Sequence, residues 1–209
     1  MIIGISGKAQ SGKDTTGAYL NAMLQGKKCA GGISWFQGSS IKPPYEIKKF
    51  AGKLKSSMEF KFPNLFNEQL WEAGDSSYRE EWLELLQMTR RDLLIREAMA
   101  LREICPDYWI IALLNEYTQQ TLSWDNEGNS TKDDFPNWII TDLRFPNEFE
   151  AIRKAGGICI RVEREDIPLI DSVSETSLDE GFHFDFYINN NTSKTDLIKK
   201  IEQLYKSIK

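Results

Sequence analysis

A chain of 209 residues with 41% hydrophobic content is long enough for one full α/β domain with an excursion or two, and too short for two comfortable domains. Its net charge of −5 argues against a general polyanion binder, so nucleic acid is not expected as a partner. Three scattered cysteines, Cys29, Cys105 and Cys159, and a single histidine, His183, indicate neither a disulfide framework nor a zinc site. No apolar run reaches the length of a membrane span, and the opening strand lacks the basic flank and cleavage region of a signal peptide. The expectation is a cytoplasmic protein with reduced thiols and no membrane partner.

Met1 to Ser6 reads as an apolar strand that runs into Gly7-Lys8-Ala9-Gln10-Ser11-Gly12-Lys13-Asp14-Thr15, the GxxxxGK spacing of a P-loop. Gly7 and Gly12 let the backbone wrap closely around an anion, where a Cβ would obstruct the turn. Lys13 supplies the point charge for the outer phosphates. Thr16, Leu20, Met23 and Leu24 mark one face of the helix that follows, whose first turn offers free NH groups and a positive dipole end. The plain alternative is a glycine-bearing surface turn, against which stand the strand before it and the helix after it. Asp14 occupies the place where Ser or Thr usually holds magnesium; it either reaches the metal through water or caps the helix start.

Gly26 to Tyr45 reads as a peripheral loop or short hairpin. Glu46 to Ala51 is predicted as a short strand, and Lys53-Leu54-Lys55 as the start of a helix carrying Leu54 and Met58. The apolar pattern from Tyr78 to Glu103 predicts helix broken near Thr89-Arg90-Arg91, where arginines are candidates for phosphate contact. Pro106 and Asp107 open a further helix from Ile110 to Tyr117, and Trp124 to Phe135 is composed as an exposed loop. Trp138-Ile139-Ile140-Thr141-Asp142 reads as a buried parallel strand that delivers a carboxylate to the ligand edge, as a Walker-B-like acid or as half of a structural ion pair with Arg144. A helix capped by Asn147 follows, stopped by Gly156-Gly157. Ile158 to Val162 and Phe184 to Ile188 are the last strands, and Leu197, Ile198, Ile201, Leu204 and Tyr205 are the buried face of a closing helix. Strands alternating with helices predict a mainly parallel sheet covered on both faces.

Several of these stretches together resemble the deoxynucleoside monophosphate kinases of tailed bacteriophages, within the P-loop nucleoside monophosphate kinase group. Besides Ser11-Gly12-Lys13-Asp14-Thr15, where the aspartate is itself a family trait, Phe50 to Lys55 is similar to a family FADPLK segment and Thr89 to Leu94 to TPRELL. Pro106 to Trp109 is similar to PDIW, Thr141 to Glu148 to SDVRFPNE, and Ser174 to Asp179 to SExxLD, all in the family's order. Gly52 and Lys53 stand where FADPLK has aspartate and proline, and Arg90 where TPRELL has proline.

The resemblance implies a P-loop NTPase three-layer α/β/α fold in one domain over 1–209. Its core would span about 1–55 and 136–209, with a helical acceptor-binding excursion over about 56–120. It implies ATP and Mg2+ as cofactors, a small-molecule nucleotide as acceptor, and transfer of the γ-phosphoryl group to a deoxynucleoside monophosphate; a homodimer is left open. ATP contacts are implied for Gly7, Ser11, Gly12, Lys13, Asp14, Thr15 and Thr16. Acceptor contacts fall to Lys55, Arg91, Trp109, Arg144 and Glu148, with Trp109 stacking near the base. Lys13, Arg91, Arg144 and Asp142 would carry the chemistry, and Asp14 and Asp142 would hold hydrated magnesium. Two other readings stand beside this one: a P-loop kinase of another phosphorylated acceptor such as phosphomevalonate, and a nucleotide-switched binding module. The module reading is disfavoured by the lack of an NKxD-like guanine-reading segment.

Overall fold

The structure, a computed structural model, describes residues 1–26, 28–30, 32–34, 45–72, 76–119, 136–167 and 172–208. In chain order the elements are β1 (Ile2–Ser6), α1 (Lys13–Leu24), β2 (Lys28–Ala30), β3 (Gly32–Ser34), β4 (Tyr45–Lys48), α2 (Phe50–Lys61), α3 (Glu68–Glu72), α4 (Ser76–Glu80), β5 (Trp82–Leu83) and β6 (Met88–Thr89). They continue with α5 (Arg90–Ile104), α6 (Tyr108–Gln119), β7 (Asn137–Leu143), α7 (Pro146–Lys154), β8 (Ile158–Glu163), α8 (Val173–Thr176), β9 (Phe186–Asn189) and α9 (Lys194–Ile208). Two compact units divide the chain: Met1–Lys49 with Glu116–Lys209, and Phe50–Asn115.

The first unit is built on a five-stranded sheet in the order β4-β7-β1-β8-β9, every pair parallel. A parallel sheet needs cover on both faces, which is why β1 is buried at all five positions. Ile3 and Ile5 point one way, into a cluster with Leu20 and Met23 of α1 and Leu197, Ile201 and Leu204 of α9. On the other face Gly4 admits α7: a Cβ there would stand 2.6 Å from Ile152 Cδ1. The result is an α/β unit whose parallel sheet is flanked by helices, compatible with a three-layer α/β/α arrangement.

The connections fix where a ligand can enter. From β1 the chain passes through α1 toward β4 at one edge, whereas from β7 it passes through α7 to β8 on the opposite side of β1. The paths diverge at the carboxyl ends of the central strands, the usual crevice of an open parallel sheet. The β2–β3 hairpin falls inside the Gly26 to Tyr45 stretch; residues 35–44 and the Trp124 to Phe135 segment lie outside the described residues.

The second unit corrects two expectations. Phe50 and Ala51 are helical and not the end of a strand, because Phe50, Leu54 and Met58 at i, i+4 and i+8 bury a single stripe of α2. The stretch from Trp82 to Thr89 is a hairpin and not helix, with Trp82 opposite Thr89 and Leu83 opposite Met88. Gln87, at φ 51°, closes its turn, and Leu85, part of the apolar pattern read as helix, is 88% exposed. Thr89 then starts α5 with a capping box: its hydroxyl accepts from the Asp92 amide at 3.0 Å, and the Asp92 carboxylate accepts from the Thr89 amide at 3.3 Å. The unit's core gathers Leu54, Met58, Phe66, Trp71, Leu94 and Trp109.

Candidate active site

The glycine loop between β1 and α1 is a tightly constrained turn. Gln10 and Gly12 both take positive φ, 63° and 97°, which glycine at 12 adopts without strain. A Cβ on Gly12 would stand 2.5 Å from Asn190 Nδ2, and one on Gly7 2.6 Å from the Val162 carbonyl. The Ser11 amide donates to the Lys8 carbonyl at 3.1 Å, and Thr16 is the first residue of α1 whose amide finds a backbone carbonyl, that of Gly12 at 2.8 Å. Among the described residues the amides of Lys13, Asp14 and Thr15 therefore have no protein acceptor and stand at the positive end of a twelve-residue helix. The hydroxyls of Ser11 and Thr16 are buried and likewise lack a partner among the described residues. Unpaired buried donors at a helix N-terminus fit an anion.

Lys13 sits at this turn only 7% exposed, with Nζ donating to the Lys8 carbonyl at 3.2 Å. Burial holds its ammonium below the ordinary lysine value, and Arg144 pushes the same way; Asp14, Glu175 and Asp142 oppose them. That balance also gathers the relevant charges around one lysine. Asp14 does not cap the helix: Gly12 occupies the cap position, and the Asp14 carboxylate instead accepts from Thr141 Oγ1 of β7 at 2.9 Å, with Lys49 Nζ at 3.6 Å. The capping alternative is thereby corrected.

Arg144 follows β7, and its turn is built by Glu148. The Glu148 carboxylate, 1% exposed, accepts from the amides of Arg144 at 2.9 Å and Phe145 at 3.1 Å. It caps α7 from inside, where Asn147 had been expected to do so; Pro146 takes the first helical position. Arg144 pairs with Glu175 of α8, and the same Glu175 carboxylate accepts from the Ala9 amide at 2.6 Å. Burial alone would raise the pKa of Glu175, but the Ala9 amide, Arg144 and Lys13 together outweigh it and hold the carboxyl below its ordinary range.

Further ties come from residues the sequence left without a role. Asn190, at the end of β9, donates from Nδ2 to the Ser11 carbonyl at 2.8 Å. Asp179 pairs with Lys8 at 3.0 Å and with Arg161, whose guanidinium also donates to Ser6 Oγ at 3.0 Å. Beside the loop lies a cavity of about 520 Å³ lined by Lys13, Asp14, Thr15, Arg164, Asn190, Thr192 and Lys194 among others, within the range of small-molecule sites.

Gly7, Ser11, Gly12, Lys13, Asp14, Thr15, Thr16, Asp142 and Arg144 thus belong to one unit, around one loop. Lys55, Arg91 and Trp109 belong to the other. Arg91 is exposed and pairs with Glu80 at 2.9 Å, and Lys55 is buried on α2. One assigned role changes and one residue gains a second. Trp109 is 4% exposed, packed in the core of its unit with Nε1 donating to the Ala98 carbonyl at 3.3 Å, so its ring is core and not a stacking platform. Glu148 braces its own turn through Oε2, a role besides the acceptor contact assigned to it. Among the described residues no three His, Cys, Asp or Glu side chains converge to hold a metal, and no helix is long and apolar enough to cross a membrane. Comparison with protein-family models and with curated proteins returned no match.

Proposed function

We propose that the chain is an ATP-dependent deoxynucleoside monophosphate kinase. The observation that carries the reading is Lys13: a desolvated ammonium at the end of a glycine-constrained turn, beside unpaired helix-terminal amides, at the carboxyl edge of a parallel sheet. A polyphosphate tail in front of it would meet donors that have no other partner among the described residues and would favour the charged lysine. The likeness of Thr141 to Glu148 and of Ser174 to Asp179 to family segments supports a monophosphate as acceptor.

In this reading an oxygen of the acceptor phosphate attacks the γ-phosphorus of ATP, the bond from that phosphorus to the β–γ bridging oxygen breaks, and ADP leaves. The attacking oxygen is already anionic, so no protein base is needed and the task is alignment and charge neutralisation. Lys13 and the loop amides hold the donor tail. Arg144, tethered by Glu175, offsets charge on the transferring group. Asp14 and Asp142 fit a hydrated magnesium ion, which keeps several waters and takes one or two carboxylates together with phosphate oxygens; when bound, the ion supplies further neutralisation of the phosphates. Arg91 and Lys55 are assigned to the acceptor on the family resemblance.

ADP release measured across dAMP, dCMP, dGMP, dTMP, the corresponding ribonucleotides and phosphomevalonate tests the reading. The expected result is release that depends on a deoxynucleoside monophosphate. Release driven by phosphomevalonate alone, or indifferent to every acceptor, overturns it.

A further inference from the structure

Three bonds reach the glycine loop from the chain after β8, two from the segment that joins β8 to β9 and one from the residue that follows β9. Asp179 holds the Lys8 side chain, Glu175 holds the Ala9 amide, and Asn190 holds the Ser11 carbonyl. Asp179 also pairs with Arg161, within the same side of the sheet, whereas Glu175 makes a second bond that crosses to another strand. Its other oxygen binds the Arg144 guanidinium, delivered from the far side of β1 by the end of β7.

A bidentate use of this kind has a physical consequence. Glu175 is buried, and a buried carboxylate is tolerated where both oxygens find donors. Ala9 and Arg144 are those donors, so the position of the guanidinium relative to the loop is set by the width of one carboxylate. A glutamine in its place still accepts from the Ala9 amide through its carbonyl oxygen. Its amide group, however, presents N–H donors to a guanidinium that is all donors, and Arg144 loses its anchor.

We infer that Glu175 is a positioning residue, whose carboxylate bridges the Ala9 amide and Arg144 so that the arginine and the glycine loop address the same phosphate chain. The inference rests on the reading of the loop as a phosphate site. It predicts coupling: Glu175 matters through Arg144, not through the loop alone. Glu175 lies in the Ser174 to Asp179 stretch that resembles SExxLD, but the resemblance assigned it no role and gave no sign of the bridge to Arg144.

The experiment is a double-mutant cycle read by calorimetric binding of inorganic tripolyphosphate with magnesium to the full chain, with thermal melts to establish folding. Wild type, Glu175→Gln, Arg144→Ala and the double variant are compared. Glu175→Gln is expected to weaken binding by about tenfold in the wild-type background, and to cost nothing further, or to recover affinity, in the Arg144→Ala background. Equal weakening in both backgrounds, or none in the first, overturns the bridge. If wild type itself does not bind tripolyphosphate, the phosphate-site reading fails and takes the inference with it. Should Glu175→Gln not fold, Glu175→Asp, which keeps the charge and loses one methylene of reach, replaces it in the cycle under the same two outcomes.

Discussion

Lys13 in the sheet unit and Arg90 in the helical unit are buried to nearly the same degree, 7% and 6% exposed, yet their surroundings differ in kind. Arg90 is fully engaged: it donates to the carbonyls of Leu65 and Tyr78 and to the Glu81 carboxylate, and its guanidinium lies 4.0 Å from the centre of the Tyr78 ring. Lys13 donates to one carbonyl at 3.2 Å and lines a cavity. Burial of a cation is therefore a poor guide to function. What separates the two is whether the surrounding donors are used up, as at Arg90, or left facing open space, as they are at the start of α1.

Removing each cation should break the molecule in a different way. The largest effect is expected for Lys13→Ala, a loss of at least a hundredfold in turnover, on the order of 2.7–4 kcal/mol of transition-state stabilisation by analogy with other preorganised donors. Its melting temperature should stay close to that of wild type, because the loss of one hydrogen bond to the Lys8 carbonyl is offset by removal of a desolvated charge. Steady-state ADP release and a thermal melt on the same sample read both halves; a variant that turns over normally sinks the reading.

Arg90→Ala should do the reverse. It orphans two carbonyls and empties the space beside Tyr78, for a destabilisation of about 2–3 kcal/mol, while the largely exposed Glu81 carboxylate regains water. Chemical denaturation measures the loss, and tripolyphosphate affinity at temperatures where the variant is folded should be unchanged. A marked fall in that affinity would mean that the two regions are not as separate in role as their buried cations suggest.

The smallest effect concerns acid. The Glu175 carboxyl is held below its ordinary value of 4.5, so the stability it contributes is fully present above that value and is lost as pH falls through the lower folded-state pKa. The stability difference between wild type and Glu175→Gln should therefore shrink as pH drops below the ordinary carboxylate range. Denaturation midpoints across an acid series decide it; a constant difference would remove the ionised carboxylate from the account.

Much of the sheet unit was legible because its signals are local. Met1 to Ser6 and Trp138 to Asp142 are apolar runs of strand length, found as the strands Ile2–Ser6 and Asn137–Leu143, and Leu197, Ile201 and Leu204 recur at helical spacing on the buried face of α9. The helical unit was less legible. The apolar residues Trp82, Leu85 and Leu86 fit a helical period, but the turn at Gln87 and the Thr89–Asp92 capping box interrupt it. The capping spacing marks the start of α5 near Thr89, where a break was read, but does not say that the residues before it pair as a hairpin. Trp109 gave no such clue, since an aromatic side chain at a helix start has the same identity whether it faces a ligand or a core.

Local pattern sufficed for the strand, the glycine turn and the lysine, because close backbone curvature and a following helix need particular residues at short, fixed spacing. Which carboxylates and amides meet that turn was set by folding. Glu175 reaches Ala9 across 166 residues and Asn190 reaches Ser11 across 179. Such pairings depend on strand order and on the competition of burial with charge, and neither leaves a periodic trace along the chain.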